Sequence, residues 1–179
     1  IILGHAVTSA VNKAYGTNLS YTQVMSKYLL GPTVCNFSQT LVTPAGNEWV
    51  GAGVETGLLD GGRFAQALLT RSCGNTTLLS AAMRQQMETN QIAGLARGPV
   101  NPAPDDRTYG LGLWRHDQTG STDTGIYMGI GAGGAVAFYH PAKNYSGFLL
   151  VKKTGGGPDG VALMEQLLPL INAQILANP

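Results

Sequence analysis

Hydrophobic positions along the chain follow two rhythms, a helical one in the first half and at the end, and a strand-like one between them. Leu3, Ala6, Val7, Ala10, Val11 and Ala14 recur at the spacing of one helical face, and Gly16 is placed to end that helix. Ser20 is placed as the N-cap of a second helix that turns Val24, Tyr28 and Leu29 inward and stops at Gly31-Pro32. The stretch from Cys35 to Val50 is irregular and polar. A glycine-rich approach, 51–57, leads into a third helix predicted over 58–69 with Phe64, Ala67 and Leu68, and Ser80 opens a fourth over 80–87. Pro99, Pro102 and Pro104 exclude regular structure from 94–106. That leaves a long surface loop, a feature that in compact domains is often functional.

The rhythm then changes. YGLGLWR (109–115) reads as a strand, and after the polar turn 117–125 the stretch 126–152 reads as two antiparallel strands. One is the apolar run 135–139 and the other 148–151, with a turn at 141–145 built of Pro, Lys and Asn. Gly129, Gly131, Gly133 and Gly134 crowd the approach to this hairpin. Strand interiors avoid glycine unless a ligand or another backbone comes close, so a substrate edge is one reading and tight strand-on-helix packing the other. Gly155-Gly156-Gly157-Pro158 breaks the chain again, and Asp159 is placed to cap a last helix. Its Val161, Leu163, Met164, Leu167, Leu168, Leu170 and Ile171 are expected to face a core, with Pro169 as a kink. Helices first, then strands, then a helix predict an α+β fold, an antiparallel sheet flanked by helices. With no repeat, low-complexity tract or linker, residues 1–179 read as one domain body.

Composition narrows the partners. With 44% hydrophobic and 12% charged residues the chain is globular. A net charge of +1, with basic residues scattered singly apart from Lys152-Lys153, argues against nucleic acid or an anionic membrane. No apolar run reaches the ~20 residues that span a bilayer. Ile1-Ile2-Leu3 has neither a start methionine nor a signal peptide, so the chain is expected to begin partway through a longer molecule. Cys35 and Cys73 fall in predicted loops and are either a disulfide or two free thiols on count alone. Asn18, Asn36, Asn75 and Asn144 each open an Asn-x-Ser/Thr triplet in a predicted loop. Chance placement of the chain's Asn, Ser and Thr gives about one. Four favour glycosylation, hence a secreted or extracellular protein, periplasmic if bacterial, and tip the cysteines towards a disulfide.

Two chemical motifs dissolve on inspection. Gly129-Ile130-Gly131-Ala132-Gly133-Gly134 spells GxGxxG, but a dinucleotide site needs a helix N-terminus directly afterwards, and a strand and a Pro turn follow instead. His5, His116 and His140 are far apart in sequence with no ligand spacing, which argues against a metal site, and His140, beside a turn, reads as a surface residue. No G-x-S-x-G elbow supports a serine triad.

Five stretches in order carry a resemblance. ILGHAVTSAVNKAYGTNLSYTQVMSKYLLGPT (2–33) resembles the segment that follows the Tyr-x-Asn motif in the superfamily of serine β-lactamases, DD-peptidases (penicillin-binding-protein-like) and class C-like esterases. GAGVETGLLDGGRFAQALL (51–69) is similar to that family's Gly-Gly-Leu-x-Ser-Thr-x-x-Asp-Leu-x-x-Phe helix entry with one extra residue. LLSAAMRQQM (78–87), YGLGLW (109–114) and GAGGAVAFYHP (131–141) resemble its next helix, its Tyr-Gly-Leu-Gly-Trp strand and its Gly-Ala-Gly-Gly-x-x-Ala-Phe-x-x-Pro.

The resemblance implies a serine hydrolase acting on ester or amide bonds through an acyl-enzyme, without cofactor, and a chain that is the C-terminal portion of a β-lactamase/transpeptidase-like domain. The family's Ser-x-x-Lys and Tyr-x-Asn occur nowhere in it. The chain alone is therefore expected to be inactive, because a nucleophile needs its base within hydrogen-bond reach. A second chain carrying the N-terminal half, produced by nicking or maturation, is the expected partner. The third family motif, Lys/His-Thr/Ser/Gly-Gly, maps by position onto Gly129-Ile130-Gly131, with Lys153-Thr154-Gly155 a decoy. Ala132 would then supply a backbone N–H to the oxyanion hole, and Gly129, Ile130, Gly131, Gly133 and Gly134 would line a small acyl substrate. Loss of the cation at Gly129 fits an esterase-like enzyme better than a β-lactamase. The alternative is a catalytically inactive binding or structural relative.

Overall fold

The computed structural model describes residues 2–31, 33–42, 54–95, 108–116, 125–131, 134–151 and 160–177. The proline loop from 96 to 107, the Lys153-Thr154-Gly155 triplet, the Asp159 cap, Ala132 and Gly133 lie outside them.

Helix α1 spans Ile2–Tyr15. Its buried stripe differs from the apolar one: Gly4 and Thr8 are buried, whereas Ala6, Val7, Ala10 and Ala14 are exposed. Ser20 caps α2, Tyr21–Met25, through a reciprocal capping box: its Oγ accepts from the Gln23 N–H (3.3 Å) and its N–H donates to Gln23 Oε1 (2.8 Å). The helix widens into a π turn, Ser26–Leu30, and stops before Gly31. The stretch expected to be irregular contains β1, Leu41–Val42, paired antiparallel with β2, Val54–Glu55.

Helix α3, Leu58–Thr70, ends at Arg71 in the left-handed region (φ 65). A small hairpin follows, β3 (Ser72–Cys73) and β4 (Thr76–Thr77), so Cys73 lies in a strand rather than a loop. It is joined to Cys35 in a disulfide. Helix α4, Ala81–Glu88, starts on Ser80, whose Oγ accepts the Met83 N–H (3.1 Å).

The main sheet runs in chain order, each neighbour antiparallel: β5 (Thr108–Tyr109), β6 (Trp114–His116), β7 (Ile126–Ile130), β8 (Val136–His140) and β9 (Tyr145–Leu149). Helix α5, Gly160–Ala177, closes the order. Two expectations change here. The single strand over 109–115 is two short strands, because the backbone turns at 110–113, with Gly112 at φ 81 and the Gly110 N–H donating to Leu113 O (2.8 Å). The hairpin over 126–152 is three strands, because the residues that lead into the glycine-dense stretch, up to Gly129 and Ile130, are themselves β7.

Alternation along these strands sorts the two faces. Ile126, Met128, Val136 and Phe138 pack under Val161, Met164 and Leu168 of α5. That stripe is narrower than the sequence suggests: Leu167 and Leu170 are exposed, and Pro169 lies inside the continuous helix. His140, expected at the surface, is only 4% exposed. It alternates with Tyr139 in a strand buried along its whole length, and its Nδ1 accepts the Lys143 N–H (3.3 Å).

The opposite face meets α3. There the ring of Phe148 lies where a Cβ on Gly61 would be, so this β9 side chain packs directly on the α3 backbone. Gly61→Val is expected to cost about 2 kcal/mol by overpacking, read as a lower urea midpoint with an unchanged slope.

Tyr139 on this face is buried, and its hydroxyl donates to Glu88 Oε1 (2.9 Å), which also accepts from Arg84 Nε (2.7 Å). Burial first and the Glu88 carboxylate second push its pKa far above the ordinary tyrosine value. The stabilisation is complete below about pH 10, the unfolded tyrosine value, and is lost as the pH rises beyond it towards the folded value. Tyr139→Phe is expected to cost about 1 kcal/mol at neutral pH. It should also flatten the alkaline fall in melting temperature, measured from pH 8 to 11.

Candidate functional site

A cavity of about 550 Å³ opens between the sheet and α3, at the end of β7. The sheet supplies Gly129, Ile130, Ala137 and Phe148, the helix supplies Asp60 and Phe64, and Tyr109, Gly112 and Trp114 border one side. Met25, Leu29 and Leu30 come from α2 and its π turn.

The glycines of this edge do different things. At Gly129 a Cβ would meet nothing within 4 Å, so the absent side chain leaves cavity rather than making room for a neighbour. Gly131 opens the turn to β8: its N–H donates to Ala135 O (2.8 Å), and its own carbonyl accepts the Gly134 N–H (3.0 Å). Gly134 has φ +97, and a Cβ there would fall 2.5 Å from the carbonyl oxygen of Val151. Its carbonyl oxygen also abuts Gly160, the first residue of α5. Close packing thus explains Gly134, and open space explains Gly129. The N–H groups of Gly131 and Gly134 are engaged inside the turn.

Asp60 is the charged residue of the cavity wall, and sequence reasoning did not single it out. It stands in the first turn of α3, where a carboxylate interacts favourably with the helix dipole. Oδ2 accepts from the Gln39 N–H (2.5 Å) and the Thr40 hydroxyl (3.0 Å), and Thr40 shares a further hydrogen bond with Thr56 (2.8 Å). Oδ1 has no hydrogen-bond donor; Arg63 Nη1 lies 3.5 Å away on a side chain 44% exposed, against 0% for Asp60. The signal was available as an acidic residue set in the apolar run Leu58-Leu59-Asp60-Gly61.

The remaining predicted residues are dispersed. Asn18, Asn36, Asn75 and Asn144 are all exposed in turns or connections, Asn36 next to Cys35 and Asn75 two positions after its disulfide partner Cys73. His116 is buried, with Nε2 3.0 Å from Glu165 Oε1, a tie between β6 and α5. Among the described residues no group of three or more His, Cys, Asp or Glu is placed to hold a metal ion, and no helix is long and apolar enough to cross a membrane.

Solved structures share this fold. A β-lactamase from Mycobacterium bovis matches over 94% of this chain and 61% of its own, at 18% identity and a TM-score of 0.70. A β-lactamase-type protein from Bacteroides dorei matches over 83% and 47%, at 20% identity and a TM-score of 0.64. The chain has a β-lactamase-like fold. A penicillin-binding-protein homologue from Caulobacter crescentus matches over 66% of this chain and 33% of its own, at 22% identity and a TM-score of 0.51. The chain therefore spans between a third and about three fifths of these β-lactamase-like structures. Neither a family model nor a curated protein matches the sequence. The β-lactamase-like fold agrees with the α+β expectation, and the disulfide is compatible with a secreted or periplasmic protein.

Proposed function

We propose that this chain is the oxyanion side of a serine hydrolase-like domain that cleaves ester or amide bonds through an acyl-enzyme. The observation that carries the reading is the open end of β7, where Gly129, the position assigned by resemblance to the third family motif, borders a cavity of small-molecule size. In this reading the backbone N–H of Ala132 donates to the oxygen that becomes negative in the transition state. Gly131 and Gly134 hold the turn that presents it, and the acyl group lies along Gly129 and Ile130.

The nucleophilic serine and its lysine come from a second chain carrying the N-terminal half of the domain, since neither Ser-x-x-Lys nor Tyr-x-Asn occurs in these residues. The exposed apolar residues of α1 support such a packing partner. The disulfide and the four exposed Asn-x-Ser/Thr sites support secretion with glycosylation. A second reading, an inactive binding or structural relative, is favoured by Gly134, which its positive φ and its closeness to the Val151 carbonyl account for without a ligand.

A fluorophosphonate probe tests the choice. With the partner present, a serine of the partner is expected to be labelled, and the 179-residue chain alone is expected to stay unlabelled. A folded complex that resists the probe would favour the inactive reading. Gel filtration that returned a stable 18.7 kDa monomer would count against the partner.

A further inference from the structure

The cavity beside β7 has a charge character that narrows what it can hold. Its wall is built of Leu29, Phe37, Phe64, Trp114, Ile130 and Phe148 with other apolar groups, and it contains no lysine, arginine or histidine among the described residues. The one carboxylate in it, Asp60, is fully buried, with Oδ1 lacking a hydrogen-bond donor. Arg63, whose Nη1 lies 3.5 Å from Asp60 Oδ1, is exposed, and it is not part of the wall. A second anion brought into this space would lose its hydration, find no cation among the described residues of the wall and face the Asp60 carboxylate, each of which opposes its binding. An uncharged apolar group meets none of these costs and gains from leaving water.

We infer that the cavity takes an uncharged, apolar acyl or arylacyl group and rejects carboxylate-bearing ligands, which makes the substrate class neutral hydrophobic acyl esters or amides. The substrate part of this inference rests on the hydrolase reading; the binding preference rests on the cavity wall alone. Gly129 sets the depth of the site, because a side chain added there has open space to enter.

Phenylacetamide and phenylacetate have nearly the same shape and differ in charge. Titrated at pH 7.5 into the purified chain, with any segment that co-purifies, both can be followed by Trp114 fluorescence in a Trp49→Phe background. Phenylacetamide is expected to bind saturably and at least tenfold more tightly than phenylacetate. Gly129→Leu is expected to weaken phenylacetamide at least tenfold with the far-ultraviolet circular dichroism unchanged. Equal or tighter binding of phenylacetate, no saturable binding of phenylacetamide, or an unaffected Gly129→Leu variant would each overturn the inference. The amide-to-carboxylate ratio in the unsubstituted cavity stands as a test even if Gly129→Leu does not fold. Serine labelling on the same preparation separates the two ideas. Labelling without the amide preference removes this inference and leaves the hydrolase reading. The preference without labelling supports the binding site and removes the hydrolase.

Discussion

Replacing Cys35 and Cys73 with serine is expected to lower the stability of the fold by about 4 kcal/mol, the largest effect of any change considered. The two cysteines are 38 residues apart in sequence, and for a loop of that length the chain-entropy estimate gives roughly this value. In a domain of this size it corresponds to a fall in melting temperature of about ten degrees. The bridge fixes the turn before β1 to β3 at the far end of α3, and the loop it closes contains Gln39, Thr40 and Asp60. Urea unfolding with and without dithiothreitol measures the difference. A midpoint that did not move on reduction would refute it.

Asp60→Ala is expected to cost about 3 kcal/mol, because hydrogen bonds to a charged group contribute about 1.5–3 kcal/mol and buried groups left behind are costly. The change strands the Gln39 N–H and removes the acceptor that orients Thr40. Thr56 can take up part of Thr40's hydrogen bonding, which holds the cost below the sum of two bonds. Asp60→Asn keeps an acceptor in place and is expected to cost less than half as much. Because Gln39 and Thr40 lie within the disulfide loop, the triple variant with both cysteines replaced should be less destabilised than simple addition predicts. Denaturant midpoints of the single, double and triple variants provide the check, and strict additivity would mean that the bridge does not position these donors.

The helices were legible because their ends are marked. Ser20 and Ser80 cap α2 and α4 as their position and hydroxyls suggest, and Gly31 follows the π turn that extends α2. The faces were less legible. In α1 the apolar stripe predicts burial of Ala6, Val7, Ala10 and Ala14, yet small Gly4 and Thr8 are the buried residues, a packing choice that hydrophobicity does not encode. The sheet was under-read because β7 has glycine where a half-buried strand would carry a side chain, and because Gly110 and Gly112 hide a reversal inside a strand-like run.

At the site, the sequence marked the edge at Gly129 to Gly134 but not the reason for each glycine. Gly134 answers to backbone crowding and Gly129 to empty space, and only coordinates distinguish the two. Asp60 escaped notice because its partners, Gln39, Thr40 and Arg63, are assembled from the helix and a loop some twenty positions before it.

The bond between Cys35 and Cys73 also determines how damage to this molecule would look on a gel. A protease that cut anywhere between the two sulfur-bearing residues would leave both pieces covalently attached, and an unreduced sample would still migrate as one band. Only after mercaptoethanol would two fragments separate, so intactness of this chain should be judged under reducing electrophoresis.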